Sequence, residues 1–154
     1  MLEVQAQYAL GRAGWPAPAT LHRAARAAWR GNGRAQVTLR LVDADEGRAL
    51  NQAFRGRARA TNVLSFPAPA GVPVPAAEDP TYLGDIVLCA PVLAEEAQEQ
   101  RKSLVAHFAH MVVHGMLHLQ GMEHERAADA EAMEAIEREI LAGLGYPDPY
   151  AEPS

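Results

Sequence analysis

Chemistry concentrates in one segment, His114-Gly115-Met116-Leu117-His118-Leu119-Gln120-Gly121-Met122-Glu123-His124. On a helix, His114 and His118 lie one turn apart on the same face, so their two imidazoles can grip one ion. Gly121 follows three residues later. A glycine there can take the left-handed conformation that ends a helix and turns the chain back. That return brings His124 toward the same ion. Three neutral imidazoles plus a water make a tetrahedral Zn²⁺ site with one open position, the pattern of catalytic zinc, and such a set also accepts other divalent ions. Scattered core histidines would be the plain alternative, but a pair at ligand spacing, a glycine turn and a third histidine occur here together. His107 and His110 precede His114 by seven and four residues. The open site needs only three protein ligands, so these two are assigned structural or ligand-supporting roles.

The spacing H-x₃-H-x₂-G-x₂-H is also that of the metzincin proteases, whose first histidine is followed by a glutamate acting as general base. Gly115 occupies that position. The cradle for a metal is present and the peptidase's proton acceptor is missing, which argues against peptide hydrolysis. A phosphodiester is the other substrate class to weigh. Zinc lowers the pKa of a bound water to about 7, which makes hydroxide available to attack phosphorus or to take the proton of an RNA 2′-OH. Charge then gathers on the non-bridging oxygens, and a planar guanidinium can match two of them.

The elements that must position these groups follow from hydrophobic periodicity. Leu2, Val4, Ala6 and Tyr8 alternate with polar residues and predict a first strand. Leu21, Ala24, Ala25, Ala28 and Trp29 share a helical face over residues 19–30, ended by Asn32-Gly33. Val37, Leu39 and Leu41 predict a second strand. Asp43 or Asp45 can cap a helix carrying Leu50, Ala53 and Phe54. Residues 62–66 and 82–89 read as two further strands, separated by a proline-rich loop over 68–80. Helices are expected over 91–100, 104–119 and 127–144. The last should turn Met133, Ile136, Ile140 and Leu144 inward and its acids outward, away from the metal cleft. Four strands with helices between and after them predict one mixed α/β (α+β) domain over 1–154.

The chain has 154 residues, 49% hydrophobic and 21% charged, which excludes disordered, collagen-like and coiled-coil classes. One cysteine, Cys89, excludes an intramolecular disulfide and a cysteine-based zinc cluster, and fits a reducing cytoplasm. Glu3 follows Met1-Leu2 at once, with no basic-then-apolar run, so no signal peptide is expected. Residues 103–122 carry no Asp, Glu, Lys or Arg, yet hold four histidines. Four imidazoles at hydrocarbon depth are costly, so a buried helix is expected rather than a membrane span. The net charge of −5 is unevenly spread: residues 1–60 carry +6, and residues 61–154 carry −11. A uniformly basic nucleic-acid coat is excluded, and a local basic face from the first half is not. Arginine is also simply the preferred cation, thirteen against one lysine.

Residues 114–124 resemble the H-G-x-L-H-L-x-G-Y-D-H signature of the YbeY endoribonucleases, the 16S ribosomal RNA maturation factors of bacteria. Leu50-Asn51-Gln52-Ala53-Phe54-Arg55 with Thr61-Asn62-Val63-Leu64-Ser65-Phe66-Pro67, and Leu83-Gly84-Asp85-Ile86, are similar to two further blocks of that family, in family order. Ala109-His110-Met111-Val112-Val113 leads into the signature as in close members. The departure is Met122-Glu123, where the signature has Tyr-Asp; glutamate keeps the carboxylate one methylene further out. The resemblance covers roughly residues 36–150. It implies a single-strand-specific, metal-dependent endoribonuclease acting in 16S rRNA 3′-end maturation and ribosome quality control. A fold akin to the zinc metalloproteases, with a small four-stranded mixed sheet beside the metal helix, is also implied, as are the ribosome or its small-subunit proteins as partners and no DNA substrate. Arg55 stands where the family has its functionally important arginine, which makes it the candidate to stabilise the phosphate. Arg57 and Arg59 alternate after it and form a candidate track for flanking phosphates, or else a solvated loop. Phe54, Phe66 and Tyr82 are candidate stacking faces for unpaired bases, or core. Asp85 is an unusual charge within a strand. A zinc-dependent peptidase and a non-catalytic ribosome assembly factor with a structural metal are the competing classes.

Overall fold

Val37, Leu39 and Leu41 alternate with Gln36, Thr38 and Arg40, so one face of their strand can be buried while the other stays polar. In the computed structural model this strand is central. The structure describes residues 1–55, 61–68, 80–122 and 125–151, with only the backbone of Phe54 and Arg55. Its elements are β1 (Leu2–Tyr8), α1 (Pro18–Ala28), β2 (Ala35–Val42), α2 (Ala44–Arg55), β3 (Val63–Pro67), β4 (Thr81–Cys89), α3 (Ala90–Glu99), α4 (Leu104–Leu119) and α5 (Ala127–Gly143). The sheet order is β1-β2-β4-β3. β1 and β4 run parallel to β2, and β3 pairs antiparallel with β4, Ser65 opposite Ile86. The four strands are those that the periodicity predicts, and the mixed sheet is the one that the resemblance implies. Of the proline-rich loop, residues 69–79 lie outside the described residues.

Helices cover both faces of the sheet. Val37, Leu39, Leu41, Ile86 and Leu88 point to the side of α1 and α4, and join Leu21, Phe108, Met116 and Leu117 in the main core. On the other side, Val42, Leu64, Val87 and Cys89 pack with Leu50 of α2. Cys89 is a buried free thiol, pushed up from its ordinary pKa chiefly by burial. Asp43 rather than Asp45 caps α2, its Oδ1 accepting from the backbone N–H of Glu46 at 2.9 Å. α1 ends about two residues early, because Trp29 is already extended.

α4 is buried almost all round, with apolar side chains from Phe108 to Leu117. It packs on α1, α3, α5, β3 and β4, which accounts for a sequence apolar on every face. Ser103 starts it, accepting from the Ala106 N–H at 3.0 Å. No helix among the described residues is long and apolar enough to cross a membrane.

α5 departs from its expected face. Met133 is buried as predicted, but its buried companions are Glu137 and Leu141; Ile136, Ile140 and Leu144 are only half-buried. A hydrophobicity pattern excludes an acid from the core, so it puts the inward stripe one position away from Glu137 and Leu141. Glu137 is inside because three donors meet it there.

Candidate metal centre

On α4, the i and i+4 histidines converge. His114 Nε2 and His118 Nε2 lie 3.1 Å apart, and their rings stand nearly perpendicular, at 82°. Two nitrogens that each sit 2.0–2.1 Å from one tetrahedral zinc are separated by about 3.3 Å. The pair therefore fits a shared ion almost without rearrangement. Both rings are partly exposed, so the nitrogens face an accessible surface.

The far side of His114 determines which nitrogen faces outward. His114 Nδ1 lies 2.7 Å from Glu137 Oε2, and the Glu137 carboxylate has no solvent exposure. An ionised carboxylate only accepts, so Nδ1 carries the proton and Nε2 is the nitrogen that carries the lone pair. Glu137 Oε1 accepts from His110 Nε2 at 2.9 Å and from the Tyr150 hydroxyl. Burial by itself would raise the Glu137 pKa, but the hydrogen bonds from His110, His114 and Tyr150 outweigh it and hold the carboxyl at about 2. Tyr150 is pushed above its ordinary pKa by burial and by the carboxylate beside it. The expectation that α5 turns its acids away from the metal cleft thus fails at Glu137. Of its other acids, Asp129, Glu131 and Glu139 are exposed and Glu134 is half-buried. Sequence reading missed Glu137 and Tyr150. The available signal was an acid in register with Met133 and Leu141 on an otherwise apolar stripe.

Gly115 is a packing requirement. A Cβ on it would lie 2.9 Å from Ile86 Cγ2 and within 3.2 Å of two more atoms of that side chain. α4 approaches β4 so closely there that any side chain at this position would have to displace Ile86.

The turn after α4 is held from another helix. Gln120 donates to the Ala28 carbonyl at 2.8 Å and accepts from the Arg30 N–H at 2.8 Å, tying the ends of α1 and α4 together. Gly121 then takes φ +95°, the left-handed conformation expected of it. His124 and Glu123 lie outside the described residues. Among the described residues no group of three His, Cys, Asp or Glu side chains is placed to hold an ion.

His107 has a carboxylate of its own. Its Nε2 lies 2.9 Å from Glu96 Oε1, and Asn62 Nδ2 reaches both Glu96 oxygens at 3.3 Å. Asn62 also bonds the backbone at Val63 and Cys89, so this cluster fixes the start of β3 against α3 and α4. Burial lowers the His107 pKa against the opposing pull of Glu96.

Arg55 is the last residue of α2; its side chain, and all of Arg57 and Arg59, lie outside the described residues. Other arginines of the first sixty residues are paired locally: Arg34 with Glu3, Arg40 with Glu46 and Arg48 with Asp45. Asp85 accepts from the Tyr82 hydroxyl. Tyr82, Asp85 and Phe66 line a groove of about 720 Å³ with Arg40, Glu46 and Leu50. That groove lies on the α2 side of the sheet, opposite the metal helix, so Phe66 and Tyr82 are not stacking faces beside His114.

Comparison with known proteins agrees with this architecture. A solution structure of TM1509 from Thermotoga maritima has the same fold, with a TM-score of 0.57 at 24% identity, covering 99% of this chain and 100% of that one. A protein of Stenotrophomonas maltophilia named Endoribonuclease YbeY is 54% identical over 97% of this chain and 94% of its own length. One of the same name from Chromobacterium violaceum is 55% identical over 89% of this chain and 80% of its own. The family model described as Endoribonuclease YbeY matches residues 19–145, from α1 to the end of α5. With the motif blocks on the elements described above, and identity above one half along nearly the whole length, the chain belongs to the endoribonuclease YbeY family.

Proposed function

We propose that this protein is a single-strand-specific, metal-dependent endoribonuclease acting in 16S rRNA 3′-end maturation and ribosome quality control. The observation that carries the reading is the convergence of His114 Nε2 and His118 Nε2 at 3.1 Å, with the Nδ1 of His114 held by a buried carboxylate. Family membership supports RNA as the substrate. Gly115 opposes the peptidase reading, since it stands where that chemistry needs a glutamate, and its close approach to Ile86 favours a residue without a side chain. Ribosomes or small-subunit proteins are the proposed partners, the cytoplasm the proposed location and DNA no substrate.

His114 and His118, with His124, would hold one Zn²⁺ or a similar divalent ion. When bound, the ion supplies Lewis acidity and an activated water. The chain's own residues do the rest. Glu137 keeps the proton on His114 Nδ1. Arg55, at the end of α2, would offer a guanidinium to the phosphate as its charge grows, and Arg57 and Arg59 would lie along flanking phosphates.

The test is to incubate the protein with single-stranded RNA, duplex RNA and casein, before and after chelation, then with zinc restored. Cleavage of single-stranded RNA that chelation stops and zinc restores is expected. Casein cleavage would revive the peptidase. A zinc-loaded protein that cleaves neither would favour an assembly factor with a structural metal.

A further inference from the structure

Resting on the metal-centre reading above, we propose that Glu137 and Tyr150 are positioning residues for the metal. The C-terminal segment carrying Tyr150 fixes the carboxylate that orients His114. Glu137 is wholly buried and receives three donors: His114 on Oε2, and His110 and Tyr150 on Oε1. His110 comes from α4 itself, one turn before His114. Tyr150 comes from beyond α5 and is the only one of the three donors outside the metal helix.

The segment around Tyr150 is fastened from two elements. Lys102, just before α4, donates to the Pro149 carbonyl at 2.5 Å. Arg138 of α5 donates to Asp148 at 3.2 Å and sets its guanidinium 5.0 Å from the Tyr150 ring centre. The Tyr150 ring meets His110 edge-on, with centres 5.3 Å apart. These contacts aim one hydroxyl at one carboxylate oxygen.

Without that hydroxyl, Oε1 retains His110 as its one donor among the described residues, and the carboxylate can turn toward it. The bond from Oε2 to His114 Nδ1 then lengthens. The imidazole loses both its fixed orientation and part of the basicity that the carboxylate lends its Nε2. The loss appears in metal affinity before it appears in the fold, because Tyr150 is 38% exposed and no apolar core depends on its hydroxyl.

The experiment measures zinc affinity by chelator competition for the wild type, Tyr150→Phe and Glu137→Gln. Melting of the zinc-free proteins and the visible absorption of their cobalt(II) forms are recorded alongside. Tyr150→Phe should weaken zinc binding about tenfold and Glu137→Gln about 10–100-fold, the range for groups that support a ligand. The cobalt spectrum should shift in both, while zinc-free Tyr150→Phe melts within a few degrees of the wild type. If Glu137→Gln does not fold, Tyr150→Phe decides alone. Affinity and cobalt spectra that match the wild type in Tyr150→Phe would overturn the proposal. A wild type that takes up no zinc would overturn it together with the metal-centre reading. A wild type that binds zinc and responds to Tyr150→Phe, yet leaves RNA intact, would overturn the ribonuclease reading and leave this inference standing.

Discussion

The Nδ1 of His114 and the Oε2 of Glu137 lie 2.7 Å apart, joining the candidate metal helix to the one acid of α5 with no solvent exposure. That contact gives His114 a defined tautomer before any ion arrives. It also explains why α5 packs with a charged residue inward: a carboxylate with all three donors in place is tolerable in the core, and an unpaired one is not.

Arg55→Ala should lower cleavage of single-stranded RNA by about 10²–10³-fold, the scale for removing one oriented charge-stabilising donor. Zinc content, measured on the same preparation, should not change. Wild-type rates in the mutant would return Arg55 to the role of a surface cation.

Replacing Arg57 and Arg59 together by glutamine should weaken binding to all single strands alike and flatten the dependence of affinity on salt. Phosphate contacts release counterions and carry no base information. The motive is the +6 charge of residues 1–60 in a chain of −5 overall, with Arg34, Arg40 and Arg48 already paired. Affinities at several salt concentrations check it; an unchanged slope would falsify the phosphate track.

Gly115→Ala should destabilise the protein by about 1–2 kcal/mol, because overpacking against Ile86 outweighs the better helix propensity of alanine. Denaturant titration measures it. Combined with Ile86→Ala, the two changes should cost less than their sum, since the second removes the atoms that the new methyl meets. Strict additivity would show that the helix simply shifts away.

Acidification should destabilise the metal-free protein partly through His107. Burial lowers its pKa in the folded state below the ordinary value of 6.5. The unfolded chain therefore takes up the proton first. The stability in question is full above about pH 6.5 and is lost as pH falls from there through the lowered folded value. His107→Gln, which can still donate to Glu96, should flatten the pH dependence of melting in that window. An unchanged profile would assign the acid sensitivity to other groups.

Much of the molecule was legible in the sequence because it rests on local rules. Alternating Val37, Leu39 and Leu41 required a half-buried strand, and an uncharged run from Leu104 to Leu119 required a helix buried all round. Spacing alone placed His114 and His118 on one face, and Gly121 where the chain had to turn. Only the tertiary structure decided what stands behind those groups. Glu137 reads as a surface acid in any single-helix pattern, and Tyr150 as part of a polar tail. They become the support of His114 because α5 and the segment after it dock on α4 from 23 and 36 residues away. Gly115 likewise could be seen to lack a protease's glutamate. That a side chain there would have to displace Ile86 depends on a strand whose distance from the helix no local pattern encodes. Periodicity fixes which side of an element is apolar. Which neighbour that side meets, and whether a buried charge finds its donors, depends on contacts distant in sequence, and these exist only once the chain has folded.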